Sequence, residues 1–173
     1  MNILVLNGSP RKNGNVTKML RKEAEKYSAS DNQIIWHDVS DLNFSFCKGC
    51  MACRSKSNCV LREDDAHKIA QEIKNCSLLI VGTPVYWGNM NGKLKSLFDR
   101  IVYVMMGEKK YGIPFPLNKG KKAVIITSCT TPFPFNYICH QSTGAGKALK
   151  EILKCSGFKI IRTKNLAGTK GKE

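Results

Sequence analysis

Residues 2–17 read NILVLNGSPRKNGNVT, and their order sets the architecture of the whole chain. The apolar run over 2–6 does not alternate with polar residues, which is the pattern of a strand buried on both faces of a parallel sheet. It ends at Asn7-Gly8, turns through a second glycine at Gly14, and gives way to a 3.6-residue period over 16–27, with Val16, Met19, Leu20 and Ala24 on one face. A buried strand feeding a glycine turn and then a helix opens a βα unit.

The same alternation continues outward. Residues 33–37 (QIIWH), 78–81 (LLIV), 122–127 and 158–161 (FKII) read as four more strands, and residues 64–75, 92–105 and 143–155 as three more helices. Asp64-Asp65 at the start of the second helix suits its positive end. Five strands alternating with helices imply right-handed crossovers and a doubly wound parallel sheet. Neither repeat nor linker interrupts residues 1–173, so a single domain is expected. The polar segment 166–173 offers no helix after the fifth strand. An apolar face left open there is expected to be covered by another subunit or by an irregular tail.

Length and composition agree. A chain of 173 residues can bury a core without staples, and 42% hydrophobic with 24% charged residues is globular composition. The net charge is +15, and residues 119–173 alone carry 11 basic against 2 acidic residues. Such a surface attracts anions: nucleic acid, a phosphorylated ligand or an acidic protein. No apolar run is long enough for a membrane span, and residues 1–7 lack the features of a signal peptide. Eight cysteines in such a chain point to a reducing, cytoplasmic setting, with metal or redox chemistry in place of disulfides.

Ligands of open α/β sheets sit at the carboxyl ends of the strands, which directs attention to three loops. The loop after the first strand offers Ser9, Arg11, Lys12, Asn13, Asn15, Val16 and Thr17 around a helix N-terminus, where backbone N–H groups bind phosphate. It lacks the Gly-Lys-Ser/Thr ending of a Walker loop and the glycine spacing of the dinucleotide fingerprint; the plainer alternative is a polar turn with helix caps. The loop after the third strand, with Pro84, Val85, Tyr86, Trp87, Gly88 and Asn89, offers a flat apolar wall with backbone donors for a planar ring. Its alternative is a capping loop with two partly buried aromatics. The loop after the fourth strand begins Ser128-Cys129 and can line the far side of the same cleft. A phosphate site and a ring site on one sheet edge fit a mononucleotide such as FMN.

Between the second strand and second helix, Cys47, Cys50, Cys53 and Cys59 follow C-x2-C-x2-C-x5-C spacing. Three thiols two residues apart and a fourth on a short return can wrap one compact metal centre. Zinc ordinarily uses two separated knuckles, absent here; thiols without metal are the other alternative. Cys76, Cys129, Cys139 and Cys155 are scattered, and of these Cys129 lies nearest the proposed ring site.

The GSPRKNGN turn, the segment PVYWGNMNGKLKSLFDR over 84–100 and the five-strand alternation resemble the NADPH-dependent FMN reductase family. That resemblance implies a flavodoxin-like fold with strand order 2-1-3-4-5. It implies that Ser9, Arg11, Asn15 and Thr17 hold the FMN phosphate and that residues 84–89 line the isoalloxazine. Many members carry Thr where this chain has Val16. The cysteine spacing resembles the iron–sulfur flavoprotein branch, implying a [4Fe-4S] cluster on the four cysteines of the loop 47–59. The expected function is therefore FMN-dependent electron transfer, in a homodimer or tetramer, with NAD(P)H or an acidic protein such as ferredoxin as partner. No protein acid, base or nucleophile is required. A cluster-free NAD(P)H-dependent flavin or quinone reductase is the nearest alternative. A thiol sensor is another. A nucleic-acid-binding domain has only the net charge in its favour, so neither nucleic acid nor membrane is expected as a partner.

Overall fold

The computed structural model describes residues 1–28 and 31–171. In chain order the elements are β1 (Asn2–Asn7), α1 (Asn15–Ala24), β2 (Gln33–Asp38), α2 (Ala52–Lys56), α3 (Asp65–Asn75), β3 (Leu78–Pro84), α4 (Gly92–Arg100), α5 (Val102–Met105), β4 (Met106–Glu108), β5 (Pro114–Pro116), β6 (Lys122–Ser128), α6 (Phe135–Ile138), α7 (Gln141–Cys155) and β7 (Lys159–Leu166). Five strands form one parallel sheet in the order β2-β1-β3-β6-β7, and β4 pairs with β5 as a short antiparallel hairpin. Counting the parallel strands alone, this is the expected 2-1-3-4-5 order of a flavodoxin-like sheet.

The sheet buries both faces, which is why its strands are nearly continuous apolar runs. Ile3, Val5, Leu78, Ile80, Val124 and Ile126 face α1, where they meet Val16 and Leu20. The intervening Leu4, Leu6, Leu79, Val81 and Ile125 face the opposite layer of α3, α4, α5 and α7. The register is level: Asn7 lies opposite Asp38 and Gly82, and Pro84 opposite Ser128. The loops that follow β1, β3 and β6 therefore open side by side.

Several elements differ from the sequence expectation, among them two short helices, α2 and α6, in segments read as loop. The helix over 92–105 is broken at Ile101, whose φ of −100° and ψ of 15° leave the helical region and separate α4 from α5. Residues 106–116 form a hairpin whose second strand has proline at both ends, a composition that reads as loop. The fifth parallel strand runs on to Leu166, beyond its apolar run. Its later residues alternate polar side chains because one face meets charge instead of hydrocarbon.

That charge is Glu23, a fully buried side chain on α1. Arg162 donates to it from β7, as do Lys164 at 2.8 Å and Lys26 at 2.7 Å. The register puts Arg162 and Lys164 level with Val124 and Ile126, on the α1 face of the sheet. The apolar face expected to lie open on the first strand is buried instead, with Ile3 and Val5 packed under α1, while at the β7 edge two cations close over a carboxylate. Among the described residues no helix follows β7.

Burial by itself would raise the Glu23 pKa, yet hydrogen bonds from Lys164, Lys26 and Arg162 bring it down from 4.5 to about 2. A carboxylate with a depressed folded pKa stabilises the protein above its unfolded pKa and loses that contribution as pH falls toward the folded one. Stability is expected to drop between about pH 4.5 and 2 through this residue. Arg162→Ala with Lys164→Ala leaves the carboxylate buried with one cation and is expected to lower the unfolding midpoint near neutral pH. Urea unfolding of the double variant across pH measures this, and an unchanged midpoint at pH 7 would contradict it.

Candidate functional site

The loop after β1 is organised by Asn7, a fully buried residue at the end of the strand. Its Nδ2 donates to Asp38 Oδ1 at 2.8 Å and to Thr17 Oγ1 at 2.9 Å, while its Oδ1 accepts the N–H of Ser9 at 3.1 Å. One side chain thereby ties β2, the turn and the first turn of α1 together. Gly8 allows the turn to lie against β3: its N–H donates to Gly82 O at 2.7 Å, and a Cβ there would fall 2.9 Å from that same oxygen.

The hydroxyls nominated for phosphate are used within the loop. Thr17 Oγ1 donates to Arg11 O at 2.8 Å, and Ser9 Oγ accepts the Arg11 N–H at 3.2 Å. The Val16 side chain is packed in the core under α1, so only its N–H faces the turn. Lys12 pairs with Asp41 at 2.8 Å on the surface. Asn13 is exposed and Asn15 half-buried. What the turn leaves open is the helix end itself. Gly14 is the N-cap, no side chain caps it, and no acidic residue occupies the first turn. An uncapped helix N-terminus without acidic neighbours favours an anion. These residues fit the phosphate of a mononucleotide through their N–H groups, with the hydroxyls as braces.

The loop after β3 is a tight turn beside it. Tyr86 and Asn89 exchange backbone hydrogen bonds of 2.9 Å, and Trp87 and Gly88 both have positive φ, 51° and 73°. Two successive residues of that hand make a type I′ turn, a strained place for tryptophan. The turn is pressed onto α7, since a Cβ on Gly144 would lie 1.8 Å from Gly88 O. Val85 donates to Ser128 O at 2.8 Å and is half-buried, like Pro84, whereas Tyr86 and Asn89 are exposed. Trp87 is 99% exposed and so presents both ring faces to solvent, not one to a wall. Past the turn, Asn91 caps α4 by accepting from the N–H groups of Lys93 and Leu94.

Ser128 and Cys129 are buried at the mouth of β6. Cys129 N–H donates to Leu166 O, and Thr169 Oγ1 donates to Cys129 O. Burial pushes the Cys129 thiol up, which makes it packing, not a poised thiolate. Beyond it, Phe133, Phe135, Tyr137 and Ile138 are all exposed next to the Trp87 turn.

The cysteine loop leaves the same edge and then turns away. It runs along α3 and α4, pinned by Asn43 N–H to Asp65 and by Ser45 N–H to Asp64. Asp64 is also the N-cap of α3, in a capping box with His67. Arg100, whose side chain is 1% exposed, grips Asp64 at 2.9 and 3.1 Å and donates to Ser45 O at 2.6 Å. Burial pushes the Asp64 pKa up, but the Arg100 bonds, with those of Ser45 and His67, more than offset it and hold the group below its ordinary value.

Cys47 and Cys50 are exposed, Cys53 and Cys59 half-buried. The Cys53 pKa is raised by burial and then by the charges of Cys47, Cys59 and Cys50, which places the four thiols within electrostatic reach of one another. Among the described residues, no three acidic, His or Cys side chains converge as metal ligands. The surroundings nevertheless suit an anionic sulfur centre. Arg100 Nε is buried with no hydrogen-bond partner, and Cys59 lies beside that guanidinium. Four soft thiols with a spare buried N–H donor fit an iron–sulfur group by chemistry.

Asn7, Asp38 and the 106–116 hairpin carry structure around these sites without a sequence motif of their own, while Asp64 was legible only as a helix start and Arg100 only as the last residue of the 84–100 segment. Polar residues ending two strands, Asn7 and Asp38, were the one available signal for the first pair. Asp64→Asn keeps the helix cap but leaves the buried Arg100 charge without its counter-ion. A loss of about 3 kcal/mol is expected, with faster proteolysis inside 43–59; urea unfolding and limited digestion measure both, and wild-type behaviour in either would show that the pair is not the loop's anchor.

A model of the family described as a flavodoxin-like fold, Flavodoxin_2, matches residues 1–173. An iron-sulfur flavoprotein of Archaeoglobus fulgidus is 34% identical over 107 residues, covering 62% of this chain and 52% of that protein. An iron-sulfur flavoprotein of Clostridioides difficile is 30% identical over 148 residues, covering 80% of this chain and 65% of its own length. The chain thus spans about half to two thirds of these relatives. Among solved structures, the FMN-dependent NADH-azoreductase of Bacillus anthracis in complex with FMN superposes with a TM-score of 0.75 at 16% identity, over 97% of this chain and 87% of that one. At that identity the likeness speaks for the fold. With the whole chain under one family model and the sheet in 2-1-3-4-5 order, this protein belongs to the Flavodoxin_2 family.

Proposed function

We propose that the chain binds FMN across the turns after β1 and β3 and works as a flavin-dependent electron-transfer oxidoreductase. The observation that carries this reading is the uncapped, acid-free N-terminus of α1, held by Asn7 beside the Tyr86–Asn89 turn. The names of the relatives, iron-sulfur flavoproteins and an FMN-dependent azoreductase, support the same cofactor.

FMN supplies hydride and single-electron chemistry wherever it is bound. The chain's own residues position it. N–H groups of the first turn of α1 take the phosphate, with Arg11 and Lys12 adding charge. Pro84, Val85 and the Tyr86–Asn89 turn border the ring, and Ser128 and Cys129 close the far side with buried, uncharged atoms. Cys47, Cys50, Cys53 and Cys59 hold an iron–sulfur group, with Arg100 Nε as a donor to its Cys59 side. NAD(P)H is the small-molecule donor that suits a flavin, and the +15 surface suits an acidic protein such as ferredoxin. A homo-oligomer would cover the aromatic side chains exposed around Trp87 and Phe133. The spread of the four thiols favours one second reading, a cluster-free NAD(P)H-dependent reductase.

Anaerobically purified protein separates the two readings. Flavin with about four iron and four sulfide per chain, both lost on Cys50→Ser, is the expected result. Flavin without iron selects the cluster-free reading, and no flavin even on titration removes both. For the phosphate site, Ser9→Ala with Arg11→Ala removes a brace and a cation, and FMN affinity is expected to fall about 100-fold. Unchanged affinity in a folded double variant would place the phosphate elsewhere.

A further inference from the structure

A cavity of about 730 Å³ lies between the cysteine loop, α5 and the β4–β5 hairpin. It is not part of the carboxyl edge. Lys74 ends α3, and Asn118 and Lys121 precede β6, so the wall that they form belongs to the amino edge of the sheet. Cys47 and Cys53 line the opposite wall.

The hairpin is fixed over this space. Arg54 of α2 pairs with Glu108 of β4 at 2.6 Å, and Lys109 N–H donates to Ile113 O at 2.8 Å. The far end of the Phe115 ring lies against Gly107, where a Cβ would fall 2.3 Å from Cζ. The interior surface comes from Val102, Val104, Met106, Phe115 and Leu117. Its deepest polar groups are already used. Asn118 Nδ2 donates to Val104 O at 2.9 Å, and Lys121 Nζ donates to Ile73 O, Lys74 O and Asn118 Oδ1 at 2.7, 2.8 and 2.9 Å. A sugar or nucleotide entering here would lose its hydration without finding free partners, which is costly. The charge on the walls is positive: Arg54, Lys74 and Lys121 against Glu108, which Arg54 already neutralises.

From this geometry we infer a second small-molecule site, selective for a compact, flat, apolar molecule that carries one anionic group. The volume lies within the range of ligand pockets, about 300–1,000 Å³, and pockets of this kind combine an apolar lining with few polar groups. The apolar body lies among Val102, Val104, Phe115 and Leu117, and the anion faces the cationic rim. The ligand shares a wall with Cys47 and Cys53 and does not touch the turns after β1 and β3. The inference therefore stands apart from the flavin reading, while an iron–sulfur group on the loop would border the same space through Cys47 and Cys53.

The test uses 1-anilinonaphthalene-8-sulfonate, which has this chemistry, added to the purified protein as isolated. One saturable site per chain is expected, displaced by 2-naphthoate. Val102→Trp fills the cavity and should weaken binding at least tenfold. Leu117→Asp, on the exposed rim, should do the same without disturbing the core, and keeps the test open if the first variant does not fold. Phe133→Ser with Ile138→Ser dismantles the exposed patch at the carboxyl edge and should leave binding unchanged. FMN uptake by Leu117→Asp should match wild type. The inference is overturned by the absence of saturable binding, by loss in the Phe133/Ile138 variant with retention in Leu117→Asp, or by joint loss of dye and FMN in Leu117→Asp.

Discussion

Asn7 occupies the last rung of β1, level with Asp38 on one side and Gly82 on the other. In a parallel sheet every strand ends at the same edge, so whatever fixes that rung fixes the height of the adjoining turns. A single buried amide does this here, through bonds to β2, to the Ser9 turn and to Thr17 in α1. The sheet cannot shift by one residue without leaving that amide unpaired in the interior, which would cost about 1–3 kcal/mol. The candidate phosphate turn and the Tyr86–Asn89 turn inherit their relative positions from it.

A second constraint governs the opposite face. Arg100 is buried in the helical layer with Asp64 and the Ser45 carbonyl as partners, and through Ser45 it holds the cysteine loop against α3 and α4. The same guanidinium presents an unpartnered Nε beside Cys59. A cation committed to shaping a loop thereby also stands beside one of its four thiols. The two candidate centres are thereby separated in the single chain: the turns after β1 and β3 lie at the carboxyl edge, while Cys47 and Cys53 border a cavity that reaches Asn118 and Lys121.

The roles of individual polar residues show where reading of the sequence stops. Ser9 and Thr17, expected to hold a phosphate, do lie in the turn after β1, but their hydroxyls are committed to Arg11. The resemblance to the FMN reductases names residue types at positions; it does not say whether an oxygen faces a ligand or its own backbone. Trp87 was legible as part of a ring-binding loop, yet its left-handed φ of 51° turns the indole out to solvent. Glu23 had no motif, and its importance arises from cations on β7, 139 residues away for Arg162.

The sequence by itself determined the five-strand alternation, its parallel sense and the positions of the turns and cysteines, the strand order being implied by the family resemblance. These follow from hydrophobic period and turn chemistry, which act over a few neighbouring residues. Only the tertiary structure decided which hydroxyls brace the turn after β1 and which cations close over Glu23. It also decided that the cysteine loop lies along α3 and α4, roofed by a hairpin whose Pro114 and Pro116 conceal it as a strand. Those outcomes depend on partners distant in the chain, such as Arg100 and Asp64, 36 residues apart, and a local pattern carries no record of such a meeting.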